Sequence, residues 1–76
     1  MKEEYITNNI NFGAYLYASG LQLIGAIKPD KEYYFKFIPK EKAEELINRY
    51  ILDKALINPK TFVARLNDLK DIIFNQ

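Results

Sequence analysis

The chain has 76 residues, 49% of them hydrophobic and 14% aromatic, with 11 basic against 10 acidic side chains. That is room for one domain, residues 1–76, near the lower size at which a single core suffices, and it is too apolar for a disordered chain. No run approaches the ~18 apolar residues of a membrane span, and a net charge of +1 excludes a global field that would draw the chain onto nucleic acid or an anionic membrane.

Zero cysteines exclude a disulfide framework, and Met1-Lys2-Glu3-Glu4 has no apolar signal-peptide run, so a cytoplasmic protein is expected. Ten Ile, nine Lys and seven Asn are the bias of an AT-rich genome, such as a low-GC bacterium or its viruses, and the compartment would then be the host cytoplasm.

Taken in chain order, Tyr5-Ile6-Thr7 is β-favouring and could add a short third strand to a downstream hairpin. Asn8 and Asn9 suit a turn. Asn11 is read as the N-cap of a helix over residues 12–19, held by Phe12, Tyr15 and Leu16 and closed by Gly20 in a left-handed C-cap. About two turns cannot stand alone, so this helix must lie on a sheet.

The centre of the chain, residues 21–39, reads as an antiparallel β-hairpin turning at Pro29-Asp30-Lys31. With Lys28 facing Glu32, Ile27 falls opposite Tyr33, Gly25 opposite Phe35 and Leu23 opposite Phe37. The other face then carries Gln22, Ile24, Ala26, Tyr34 and Lys36. A slip of one residue would set Lys36 opposite Gly25 and Tyr34 opposite Ile27, so the apolar face selects the first register. Gly25 is expected to leave space over the Phe35 ring.

Pro39 fits the first turn of a helix over residues 40–54, with Ala43, Leu46, Ile47, Tyr50 and Ile51 at helical spacing. Glu41, Glu44 and Glu45 lie near its positive N-terminal end, where carboxylates are dipole partners. Leu56-Ile57 is expected to tuck in as a connector. Asn58-Pro59 then starts a last helix over residues 59–74, with Phe62, Val63, Leu66, Leu69, Ile72 and Ile73 as its apolar set. The expected class is α+β: a short helix, the hairpin with its optional third strand, and two C-terminal helices packed on the sheet.

With no His and no Cys, the usual acid/base catalyst near neutral pH, the thiolate nucleophile and the commonest transition-metal ligands are missing. No Walker or dinucleotide glycine pattern is present, and no carboxylates pair across a cleft by their order. A non-catalytic binder without cofactor or metal is the reading that follows. Its unusual resource is six Tyr and five Phe, since Tyr offers a stacking face and a hydroxyl at low entropic cost. Tyr17 and Tyr34 fall off the assigned apolar faces, and Tyr34 shares its hairpin face with Lys36. Between residues 49 and 65 stand Arg49, Lys54, Lys60 and Arg65 against Asp53 alone, read either as a solvated corner or as an anion site.

The pattern Asn11-Phe12-Gly13-Ala14-Tyr15-Leu16-Tyr17-Ala18-Ser19-Gly20, Tyr34-Phe35-Lys36-Phe37, Ile57-Asn58-Pro59-Lys60-Thr61-Phe62 and Leu69-Lys70-Asp71-Ile72-Ile73 resembles a family of small phage and prophage proteins. That family is catalogued only as a domain of unknown function, and the resemblance runs over roughly residues 5–74. It implies a shared fold and a viral or mobile-element origin, and it carries no functional residue. Small phage proteins of this kind are often inhibitors of host enzymes or defences, sponges for nucleotide-derived signals among them.

The leading expectation is therefore an anti-defence binder that sequesters a small anionic nucleotide-derived ligand. Tyr34 would stack on a base, and Lys36, Arg49, Lys54, Lys60 and Arg65 would meet phosphates with free N–H groups at the start of the last helix. A chain this small would share such a pocket between subunits, so a symmetric homo-oligomer is expected. Two alternatives stand beside it: a nucleic-acid-binding regulator using the same basic residues, and an inhibitor whose exposed hairpin edge docks on a host protein.

Overall fold

The structure is a computed structural model, described over residues 3–28 and 31–75. Strand β1 (Tyr5–Thr7) leads into helix α1 (Ile10–Ala18), then strands β2 (Gln22–Ile27) and β3 (Tyr34–Ile38), and helices α2 (Lys40–Ile51) and α3 (Pro59–Phe74). The three strands form one antiparallel sheet in the order β1-β3-β2, so the N-terminal segment does pair with the hairpin. The fold is α+β, as the pattern of elements predicts.

The helix ends show how the sequence punctuates the chain. The cap of α1 is Asn9, not Asn11: Asn9 Oδ1 accepts from the amides of Asn11 (2.9 Å) and Phe12 (3.2 Å). Thr7 Oγ1 accepts from the Asn9 amide at 3.1 Å, which turns the chain into the helix directly after β1. At the other end Gly20, at φ +97, lets the Gly20 amide donate to Tyr17 and the Leu21 amide to Leu16. This is the two-bond Schellman closure, and its apolar partners Leu16 and Leu21 are both buried.

Helix α2 ends earlier than the periodicity of its apolar residues suggests, because Asp53 takes the left-handed conformation at φ 61. Its amide donates to Tyr50 and that of Lys54 to Arg49, the same closure with less suitable residues. Pro39 is the N-cap of α2 and lies outside the helix, and the Lys40 amide donates to the Glu3 carbonyl. Asn58 caps α3 with Pro59 in its first turn, as the dipeptide predicts.

The hairpin register is correct at one end only. Leu23 faces Phe37, but a β-bulge at Ile24 shifts the rest, so that Gly25 faces Lys36, Ala26 faces Phe35 and Ile27 faces Tyr34. The slipped pairing that the apolar-face argument rejects is thus the one adopted beyond the bulge. A strict two-residue period forces a choice between registers; one extra residue removes it. Leu23 and Ala26 now both pack on the core, while Ile24, Gly25 and Ile27 lie on the other side. The glycine over Phe35 is Gly13 of α1, where a Cβ would stand 3.3 Å from Phe35 Cδ2 and 3.1 Å from Leu69 Cδ1. The expected turn at Pro29-Asp30 lies outside the described residues.

All three helices pack on one face of the sheet. Tyr15, Leu16, Phe35, Phe37 and Leu69 are its most deeply buried large side chains, joined by Ala43, Leu46 and Ile47 of α2 and Ile73 of α3. Phe62 packs against this cluster, and Tyr50 meets Phe12 and Tyr15 with ring centroids 5.2 and 5.3 Å apart. Three residues expected inside are outside: Ile51, Val63 and Leu56, the last 93% exposed. In the extended connection before α3, Leu56 and Ile57 point apart, and Ile57 alone reaches the core. The molecule measures 33 × 32 × 18 Å, and the thin direction holds one sheet and one helix layer.

Candidate functional site

Strand alternation puts Phe35 and Phe37 of β3 into the core and leaves Tyr34, Lys36 and Ile38 on the opposite face. Ile6 of β1 lies beside Lys36 on one flank, and Ile24 and Gly25 of β2 on the other. Ile27 pairs with Tyr34, and Gln22 with Ile38. None of Ile6, Ile24, Ile27, Tyr34 or Ile38 belongs to the core or packs against it. Ile6 is 53% exposed, Ile27 42% and Ile24 39%. The sheet therefore presents a contiguous apolar face, three strands wide, that no described element covers.

Lys36 stands at the middle of this face. A Cβ on Gly25 would lie 3.5 Å from Lys36 Cδ, so the bare glycine is where the lysine stem crosses β2. Lys36 has no ion partner among the described residues, whereas Lys40, Lys42, Arg49 and Arg65 each have one. Tyr34 donates its hydroxyl to Glu32 Oε2 at 2.6 Å. That bond, with the Glu32 charge behind it, raises the Tyr34 pKa above the ordinary value of 10.0. At the Gln22–Ile38 end the face runs into an open groove of about 320 Å³, lined also by Leu21, Pro39 and Lys42.

The residues expected to hold an anion are not brought together. Tyr34 and Lys36 lie on the open face, and the four cations between 49 and 65 belong to the helix side of the molecule. Arg49 pairs with Glu45 at 2.8 Å beside Tyr50. Arg65 lies over the Tyr17 ring, 4.5 Å from its centroid, and bonds Asp68 at 3.2 Å. Lys54 and Lys60 are exposed without an ion partner among the described residues. The expected free N–H groups at the start of α3 are already used. Asn58 Oδ1 accepts from the amides of Lys60 (2.9 Å) and Thr61 (3.2 Å), the Asn58 carbonyl accepts from Phe62, and Pro59 has no N–H to give.

Sequence reasoning placed Ile24 on this face but missed Ile6 and Ile27 as surface residues, and Gln22 with Ile38 as the mouth of a groove. Gly25 beside an alternating pattern was the available signal, since glycine inside a strand marks bulges and close approach. Among the described residues no cluster of three or more Asp, Glu, His or Cys could hold a metal, and no helix is long and apolar enough to cross a membrane.

The family described as "Domain of unknown function (DUF5659)" matches residues 2–75. The chain belongs to this family. No match was found among curated proteins or among solved structures. Family membership agrees with the resemblance in that both name a domain of unknown function, and the function is argued from the surface.

Proposed function

We propose that this DUF5659 chain is a non-catalytic binding protein that docks on another protein through the open face of its sheet. The observation that carries this reading is the uncovered row of Ile6, Ile24 and Ile27 around Lys36, in a molecule whose remaining large aliphatic side chains mostly fill one core. A small domain has little apolar surface to spare, and contiguous exposed apolar area marks an interaction site.

The face, not the edge, is the surface proposed. The β3 edge of the hairpin is taken by β1, and the free β2 edge carries the bulge at Ile24, a device that discourages strand addition. The small-anion reading has less support within one chain. Two of its cations are engaged in ion pairs, its helix N-terminus is capped, and Tyr34 and Lys36 face away from the rest. Only in an oligomer would the open face of one subunit meet the basic residues of another.

Native mass spectrometry of the tagged chain purified from its source cells separates these readings. The expected result is a protein partner retained by the wild type and lost from an Ile6→Glu/Ile27→Glu variant that keeps the wild-type circular dichroism. An oligomer carrying a nucleotide-sized adduct, equally present in the variant, would replace docking with sequestration.

A further inference from the structure

We propose that the open face receives a single amphipathic helix of another protein, laid along β3, whose apolar stripe carries a carboxylate against Lys36. This rests on the docking reading and names its partner. The size of the face sets the first limit. Neighbouring strands lie ~4.8 Å apart, so β1 and β2 are about 10 Å apart across β3, and a strand of five residues runs for about 17 Å. A helix is about 10–12 Å wide and covers that length in about 11 residues. The footprint is a few hundred Å², well under the ~800 Å² per partner of a stable protein–protein interface. One helix matches its width and length; a second copy of this chain, face to face, would bury no more of it and would bring the two Lys36 ammonium groups toward each other. A helix laid on the open face would complete a helix–sheet–helix layering, one of the stable ways of covering a sheet.

Charge sets the second limit. Lys36 is half-buried already, flanked by Ile6, Ile24 and Ile38, and unpaired among the described residues. A purely apolar stripe laid over it would bury an unpaired ammonium, which is strongly unfavourable. A carboxylate at that point of the stripe removes the penalty and gives a charge-assisted hydrogen bond. Tyr34 does not compete, because its hydroxyl is held by Glu32. Among the described residues the face offers one free cation, too few for a phosphate backbone, whose binding needs several. The groove beside Gln22 and Ile38 gives the end of the helix a place to seat a side chain.

A yeast-displayed library of 16-residue helical peptides, randomised along one stripe, tests this on the full chain. Selection on the wild type is expected to enrich Asp or Glu at one central stripe position among apolar residues, and selection on Lys36→Glu to enrich Lys or Arg there. The best peptide should bind Lys36→Met about tenfold more weakly than wild type. Lys36 points away from the core, so both variants should melt with the wild type. Apolar stripes that bind the face and ignore residue 36 would overturn the carboxylate and leave docking standing. If no peptide distinguishes the wild type from Ile6→Glu/Ile27→Glu, the docking reading falls as well. Micromolar self-association abolished by Ile27→Glu would replace the helix with a second copy.

Discussion

Among the described residues of the open face, Tyr34 is the one whose protonation the structure shifts, through its bond to Glu32. The phenol donates to Glu32 Oε2, and the bond and the neighbouring charge both favour the protonated form, so its pKa lies above 10.0 in the folded chain. A raised folded-state pKa means that any stabilisation is present below the unfolded value and is lost as pH rises through the folded value. Tyr5 shifts the same way, through burial first and Glu44 second, so the stability these two tyrosines contribute is lost as pH rises above 10. An absorbance titration of tyrosinate should show one late component that moves back toward 10.0 in Glu32→Gln; an unchanged profile would mean the pair is not formed in solution. At this scale the sequence was informative about Tyr34, which falls off the apolar face by alternation alone. Alternation puts Glu32 on the same side as Tyr34, but it could not show that the carboxylate occupies the hydroxyl.

At the scale of elements, what was legible is what local chemistry determines. Gly20 before Leu21 and Asn58 before Pro59 each specify a helix end through backbone bonds made within a few residues, and both are as expected. The start of α1 was ambiguous because Asn8, Asn9 and Asn11 are all competent caps. Asn9 wins by accepting two amides while its own is held by Thr7. Asn9→Ala should therefore cost about 1 kcal/mol and Asn11→Ala close to nothing in chemical denaturation. The reverse order would place the cap at Asn11. Gly25 signalled that β2 departs from regular pairing, but the register the bulge at Ile24 sets and the close approach of Gly13 were not legible, since each answers to a partner distant in the chain. Gly13→Ala tests that tertiary constraint against local propensity. Alanine gains up to ~1 kcal/mol in a helix, but its Cβ would press on Leu69 and Phe35, both fully buried. Overpacking of this kind costs about 1–3 kcal/mol, so the denaturation midpoint should fall. A rise would show that Leu69 can turn aside.

For the whole molecule, one question is whether the apolar residues of the two sheet faces serve different ends. A chain of this length has a stability of roughly 4–11 kcal/mol. Leu69 of α3 lies against Gly13 of α1 with no exposed surface, and Leu69→Ala should remove about 2–5 kcal/mol, enough to leave a large unfolded fraction or a strongly lowered melting temperature. Ile6 and Ile27 are equally apolar, yet neither touches the core. Ile6→Glu with Ile27→Glu should change stability by no more than about 1 kcal/mol, because both lie on edge strands where charged residues are tolerated. The carboxylate introduced at position 6 would also stand across from Lys36. Thermal melts of the two variants side by side check this. If the double variant unfolds as readily as Leu69→Ala, the open face belongs to the folding of the chain. If it melts with the wild type, those isoleucines contribute nothing to the fold that holds them, and the exposed apolar face is left with a partner as its physical explanation.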